Sequence, residues 1–140
     1  MPIYYRTYQS QSQDEKKHGK WYGKAVVMQN VTTKEMSEEI QENVSVKRAD
    51  VIAVLAELKN VIKRNLQAGN RVVLDDIGAF KVNIRTKGAI SNEKFGAENI
   101  LGFKVIFQPE KYKHQGHYVK PFIESATTQK LTDLLPGEGD

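Results

Sequence analysis

The chain contains no cysteine, which excludes disulfides, thiolate metal sites and cysteine nucleophiles. It has no long apolar run, so nothing in it reads as a membrane span. Its first residues, MPIYYRTYQ, lack the apolar core of a signal peptide, and a cytoplasmic protein is the resulting expectation. Proline is scarce, with four in 140 residues, and none stands between Phe80 and Pro109. Histidine is limited to His18, His114 and His117. Gly116 separates the last two and no third histidine is near, so no metal site is expected. There is no phosphate loop, no Ser–His–Asp order and no nucleophile motif. Asp75 and Asp76 are adjacent, but neighbouring strand residues point to opposite faces and cannot readily share a proton or a metal. A turn or ion-pairing role suits them better. These absences leave no constellation for an enzyme, a cofactor or a small-molecule substrate.

What is present is basic charge, unevenly spread. The net charge is +4 and the pI about 9.2. That total fits either a soluble protein with surplus lysine or a binder of polyanions. Distribution separates the two. Lys81, Arg85, Lys87, Lys94 and Lys104 stand against Glu93 and Glu98 in residues 81–107, five cations against two carboxylates, most of the net charge. In GAFKVNIRTKG the pattern alternates strictly: Phe80, Val82 and Ile84 face one way, and Lys81, Asn83, Arg85 and Lys87 the other. Lys104 on a returning strand would join the basic side. A row of cations on one strand face can track duplex phosphates, or it can be a solvated face that discourages edge pairing. Further on, KYKHQGHYVK adds Lys111, Lys113 and Lys120 with Tyr112 and Tyr118 interleaved, a mixture that suits a nucleic-acid surface and an ordinary amphipathic edge equally.

Secondary structure follows from the patterning. Residues 3–9 and 20–28 read as the strands of an N-terminal hairpin, joined by the polar and unpatterned 10–19 as a mobile tip. Trp21 and Tyr22 on that hairpin are packing residues or base-stacking ones. Thr32 and Glu35 form a capping box that opens a short helix over 33–43, with Met36, Ile40 and Val44 as its stripe. Ser45 is a candidate N-cap for a longer helix over 46–68, ended by Gly69. Lys47 and Arg48 would sit in its first turn, where backbone N–H groups can help to hold a phosphate. Val51, Leu55, Leu58, Ile62 and Leu66 make one stripe, widened by Ile52, Val54 and Val61. That is more apolar surface than one covered face needs, so a second subunit is expected against it. Strands are expected over 71–76, 80–87 and 100–108, with a tight turn at Gly78 and a polar connection over 88–99. A weakly helical tail over 122–140 is expected to fray. The order is α+β.

Two helices followed by Val72-x-Leu74-x-x-x-Gly78-x-Phe80, and a return strand ending in Phe107-Gln108-Pro109, resemble the HU and integration-host-factor family of bacterial histone-like proteins. The likeness runs from Met36 to about Lys113. The added N-terminal hairpin, with KWYGKAV, is similar to a divergent HU branch of the Bacteroidetes. The resemblance implies an intertwined homodimer with Val51, Leu55, Leu58 and Ile62 at its centre, and two β-arms that reach around double-stranded DNA. It implies a nucleoid-associated protein that binds duplex phosphates with low sequence specificity through Lys81, Asn83, Arg85, Lys87, Lys94, Lys104, Lys111 and Lys113. The family's arm carries a proline near its tip that wedges between base pairs. This arm has none. Phe95 is the substitute wedge, or it folds back onto the strands. Three segments are expected: a hairpin extension over 1–31, an HU-like domain over 32–120, and the tail over 121–140. Two other functions fit the sequence: an HU-like dimer used as a protein interaction module, and a single-strand or RNA binder.

Overall fold

A computed structural model describes residues 1–131. In chain order the elements are β1 (Ile3–Gln9), β2 (Trp21–Ala25), α1 (Thr33–Asn43), α2 (Arg48–Gln67), β3 (Val72–Leu74), β4 (Gly78–Thr86), β5 (Ile100–Pro109), β6 (Tyr112–His114), β7 (His117–Val119) and β8 (Thr128–Lys130). Short 3-10 turns lie at Asn92–Lys94, Ala97–Asn99 and Pro121–Ile123. The chain divides into two compact units, one of residues 1–32 with the segment from Ser125 onward, the other of Thr33–Glu124.

The first unit is a three-stranded sheet in the order β2-β1-β8. Strands β1 and β2 form the expected antiparallel hairpin, with Tyr8 opposite Tyr22 and Arg6 opposite Lys24. Its connection is built rather than loose. The Ser12 hydroxyl accepts the Asp14 N–H at 3.2 Å, Asp14 Oδ1 accepts Lys16 N–H at 3.0 Å, and the Asp14 carbonyl accepts the N–H of both Lys17 and His18. Polar side chains that mimic backbone acceptors give this segment its turns. The described part of the tail departs from the helical expectation. Thr128–Lys130 pairs in parallel with Ile3–Tyr5, because the free edge of β1 offers unpaired backbone groups to an extended, threonine-rich segment. The acidic PGEGD end lies outside the described residues.

In the second unit α1 packs against α2, and both lead into an antiparallel sheet of order β3-β4-β5. Helix α2 starts later than expected. Its N-cap is Lys47, which makes no side-chain cap, and Ser45 does not serve. The first turn is satisfied from α1 instead: Gln41 Oε1 accepts the Arg48 N–H at 2.6 Å, and Arg48 Nη1 sits 3.0 Å from Glu38 Oε1. The other end is as expected. Gly69 takes φ +83°, its N–H reaches the Leu66 carbonyl and Asn70 N–H reaches that of Asn65, the double closure that ends a helix at a left-handed glycine. On α1 the fully buried side chain is Ser37, whose hydroxyl donates to the Lys34 carbonyl at 2.7 Å; the stripe Met36, Ile40 and Val44 is exposed.

Among the described residues the only buried apolar side chains are Val51 and Ala79. Val51 is packed within its own chain. Leu55, Leu58 and Ile62 are half-buried, and Ile52, Val54 and Val61 are exposed along α2.

The turn from β3 to β4 uses Asp76 at φ +64° and Gly78 at φ +147°. Asp76 thus has the turn role expected of it, since aspartate tolerates the left-handed region. Gly78 lies flat between Leu74 and Pro109 in the ladder, and a Cβ there would fall on the Gln108 carbonyl oxygen and about 3 Å from the Phe107 ring. The hairpin β6–β7 was not anticipated as strands. It turns through Gln115 and Gly116 at φ +48° and +81°, the two positive values that a twisted two-residue connection needs.

Candidate nucleic-acid interface

Strands β4 and β5 form the arm, and their register decides which side chains share a face. Phe80 stands opposite Phe107, Val82 opposite Val105 and Ile84 opposite Phe103. The Phe80 and Phe107 rings meet at 5.0 Å between centroids. The other face pairs Lys81 with Ile106, Asn83 with Lys104 and Arg85 with Gly102. Four of the expected residues, Lys81, Asn83, Arg85 and Lys104, are thus brought together, because directly opposite residues of antiparallel strands project to the same side. The register shifts between Arg85 and Thr86, which turns the outer part of the arm relative to its base.

Lys87 lies just beyond β4, which stops at Thr86. Its N–H donates to the Asn99 carbonyl at 2.8 Å. Asn99 organises the tip. Its buried side-chain amide donates to the carbonyls of Lys87 (3.2 Å) and Gly88 (3.3 Å) and accepts the Gly96 N–H at 3.0 Å. Lys94 and Phe95 sit on the turn so held. Phe95 is 40% exposed, but Ile90, which sequence reasoning passed over, is 92% exposed. An isolated aliphatic residue in the polar stretch GAISNE was the available signal.

None of Lys81, Arg85, Lys87, Lys94 or Lys104 has an ion-pair partner among the described residues. Lys113 is elsewhere, on β6, and Lys111 immediately precedes that strand; their ammonium groups lie 5.3 and 4.8 Å from the centre of the Tyr118 ring. Lys111 and Lys120 also line a groove with Arg71, Gly78 and Gln108 at the base of the arm, where Arg71 Nε donates to Gln108 Oε1 at 3.1 Å. Arg71 was not anticipated; a cation just before a short strand carries no pattern of its own. Arg48, by contrast, is engaged with Glu38, and its N–H is taken by Gln41.

The apolar face of the arm is uncovered. Phe103 is 77% and Val105 60% exposed. They line an open groove with Ile62 and Leu66 of α2 and Val82 of β4. No helix among the described residues is long and apolar enough to cross a membrane.

Comparison with known proteins agrees with this architecture. A crystal structure from Bacteroides vulgatus ATCC 8482, provisionally described as a bacterial DNA-binding protein, superposes over 92% of this chain with a TM-score of 0.62 and 11% identity. This chain spans 48% of that protein, about half its length. An Anabaena HU–DNA cocrystal structure aligns over 57% of this chain and 89% of its own, with 19% identity and a TM-score of 0.43. Curated proteins gave no match. The model of a family described as an HU domain fused to a wHTH, Ig or glycine-rich motif matches residues 1–116. With two helices, an antiparallel sheet and a β-arm in HU-like order, the chain belongs to that family of HU domains.

Proposed function

We propose that this is a non-enzymatic, histone-like protein that binds double-stranded DNA as a homodimer, through backbone phosphates and with little sequence preference. The observation that carries the reading is the cluster of Lys81, Asn83, Arg85 and Lys104 on one arm face, its three cations unpaired within the described chain. Unpaired cations in a row are a phosphate-tracking surface, and each neutralised phosphate releases counterions. Lys87 and Lys94 extend this charge to the tip, and Lys111 and Lys113 supply a second basic site. A nucleoid location in the cytoplasm would follow from that binding. The homodimer is supported by the exposed arm face and α2 groove. Burying an exposed phenylalanine or valine contributes about 1.5–3 kcal/mol each, and a chain with two buried apolar side chains among its described residues has little other core.

At the tip Ile90 is the side chain offered for insertion between bases, since it is already out of contact with the arm. The lack of an arm proline does not remove a wedge; it changes which residue supplies one.

The test is anisotropy of a labelled duplex at several salt concentrations, with Lys81→Ala/Arg85→Ala/Lys87→Ala alongside. Wild-type affinity should fall log-linearly with salt, and the triple variant should show a slope shallower by about one for each phosphate that its missing cations no longer neutralise. An unchanged slope would move the DNA contact to another surface, and no binding at low salt would favour the interaction-module reading. On the same duplex labelled at both ends, Ile90→Ser should reduce energy transfer caused by bending; an unchanged signal would return the wedge to Phe95.

A further inference from the structure

The hairpin β6–β7 carries two histidines that the duplex-binding arm does not use. Along the sequence, Gly116 argues against His114 and His117 sharing a ligand. In the fold it has the opposite effect. Gln115 and Gly116 make up the whole connection, at φ +48° and +81°, and His114 stands directly opposite His117 as the pair that flanks the turn. Directly opposite residues of antiparallel strands project to one side, with Cβ atoms about 4.5–5.5 Å apart. Tyr112 and Val119 are the next pair along that side. Lys113 and Tyr118 belong to the reverse side, where the Lys111 and Lys113 ammonium groups gather at the Tyr118 ring. The hairpin therefore presents its cations on one side and its imidazoles on the other.

Two features of the imidazole side point to a metal ion. Both histidines are exposed, and neither is held by a hydrogen bond or an ion pair among the described residues, whereas His18 Nδ1 donates to the Ser12 carbonyl at 3.1 Å. Their ring nitrogens are thus available as ligands. The hairpin itself is two strands of three residues each, with no third strand beside it among the described residues. A two-stranded ribbon of that kind is marginally stable in water at best, and an ion that bridges both strands supplies a cross-link that backbone pairing does not. Opposite Cβ atoms at their usual separation allow two imidazoles to meet one ion at about 2.0–2.1 Å. No histidine or carboxylate makes a third protein ligand among the described residues, so water completes the coordination and the ion is exchangeable.

We propose that His114 and His117 form a two-imidazole site for a divalent ion of the zinc class, bridging the strands of the β6–β7 hairpin. Imidazole selects Zn²⁺, Ni²⁺ and Cu²⁺ over Mg²⁺ and Ca²⁺, which prefer oxygen ligands. Binding closes the turn end of the hairpin and so fixes the two strands on which Lys113 and Tyr118 stand. The site rests on the hairpin register alone and is independent of the DNA-binding reading.

The experiment titrates the full, untagged and metal-stripped chain with ZnCl₂, NiCl₂ and MgCl₂ by calorimetry, comparing wild type, His114→Gln, His117→Gln and His18→Gln. Wild type should bind Zn²⁺ and Ni²⁺ but not Mg²⁺. Loss of an outer partner of a metal ligand already costs about 10–100-fold in affinity, so loss of either imidazole should cost at least about tenfold. His18→Gln should match wild type. In nitrogen NMR of the wild type, the ring signals of His114 and His117 should shift together as Zn²⁺ is added while those of His18 stay in place, a result that merely structural histidines would not give. Because both side chains are exposed, the metal-free thermal melts of the hairpin variants should match that of wild type. Unchanged Zn²⁺ affinity in either hairpin variant, or a shift of only one of the two rings, would overturn the shared site. Binding of Mg²⁺ as tight as that of Zn²⁺ would overturn its imidazole character.

Discussion

Replacing Gly78 by alanine tests the turn on which the arm is mounted. Two independent costs meet at this position. The backbone holds φ +147°, a conformation that residues with a side chain rarely adopt and that costs them about 1–3 kcal/mol. The added methyl would also fall on the Gln108 carbonyl oxygen and lie 2.9 and 3.0 Å from two atoms of the Phe107 ring. That carbonyl is backbone within the β4–β5 ladder and cannot rotate away, so the overpacking adds about 1–3 kcal/mol more. The sum, about 2–6 kcal/mol, is a large fraction of the roughly 5–15 kcal/mol that holds a domain together. For a unit of this size it corresponds to a fall in Tm of roughly 10 °C or more. Gly69 supplies the control. It too has a positive φ, +83°, but nothing lies within 4 Å of a Cβ built there. Gly69→Ala carries only the conformational cost. Circular-dichroism melts of both variants at one protein concentration separate strain from collision. If Gly78→Ala melted within about 2 °C of Gly69→Ala, the close approach of β5 would be refuted.

Two further outcomes follow from the helices and the arm. Gln41→Ala removes the acceptor of the Arg48 N–H and should destabilise the protein by about 0.5–2 kcal/mol in chemical denaturation, whereas Ser45→Ala should leave the midpoint unchanged. Phe103→Asp places a charge on the exposed arm face; by light scattering the wild type should show twice the 15.9 kDa chain mass and the variant the chain mass alone. A variant still at twice the mass would put the subunit contact elsewhere.

The features legible in the sequence are those governed by local periodicity. Alternation separated the two faces of the arm, and the register then added Lys104 opposite Asn83 as expected. Helical spacing located both helices, and Gly69 and Gly78 marked breaks because only glycine readily takes their φ values. The misses all involve partners distant in sequence. A side chain of α1 caps α2, and no pattern around Ser45 reveals that Gln41 will do it. Strand β8 is three residues long and exists only because β1 has a free edge. Asn99 reads as one more polar residue of a loop until Lys87 and Gly88 are brought beside it. The groove at Arg71 and Lys120 likewise assembles residues from different strands. That Ile90 is more exposed than Phe95 at the tip was likewise not legible, since exposure has no sequence period.

The pairing of β1 with β8 has a consequence for how the chain is made. Ile3 and Thr128 are neighbours in one sheet although almost the whole described chain lies between them. The HU-like unit is, in connectivity, an insertion within the smaller sheet. As the polypeptide leaves the ribosome, β1 and β2 emerge first and can form a hairpin, but their third strand is translated after both helices and the arm. The unit that begins first is completed last. Until then the β1 edge is open to any other strand, including that of a neighbouring nascent copy, and it is the late arrival of Thr128–Lys130 that closes it.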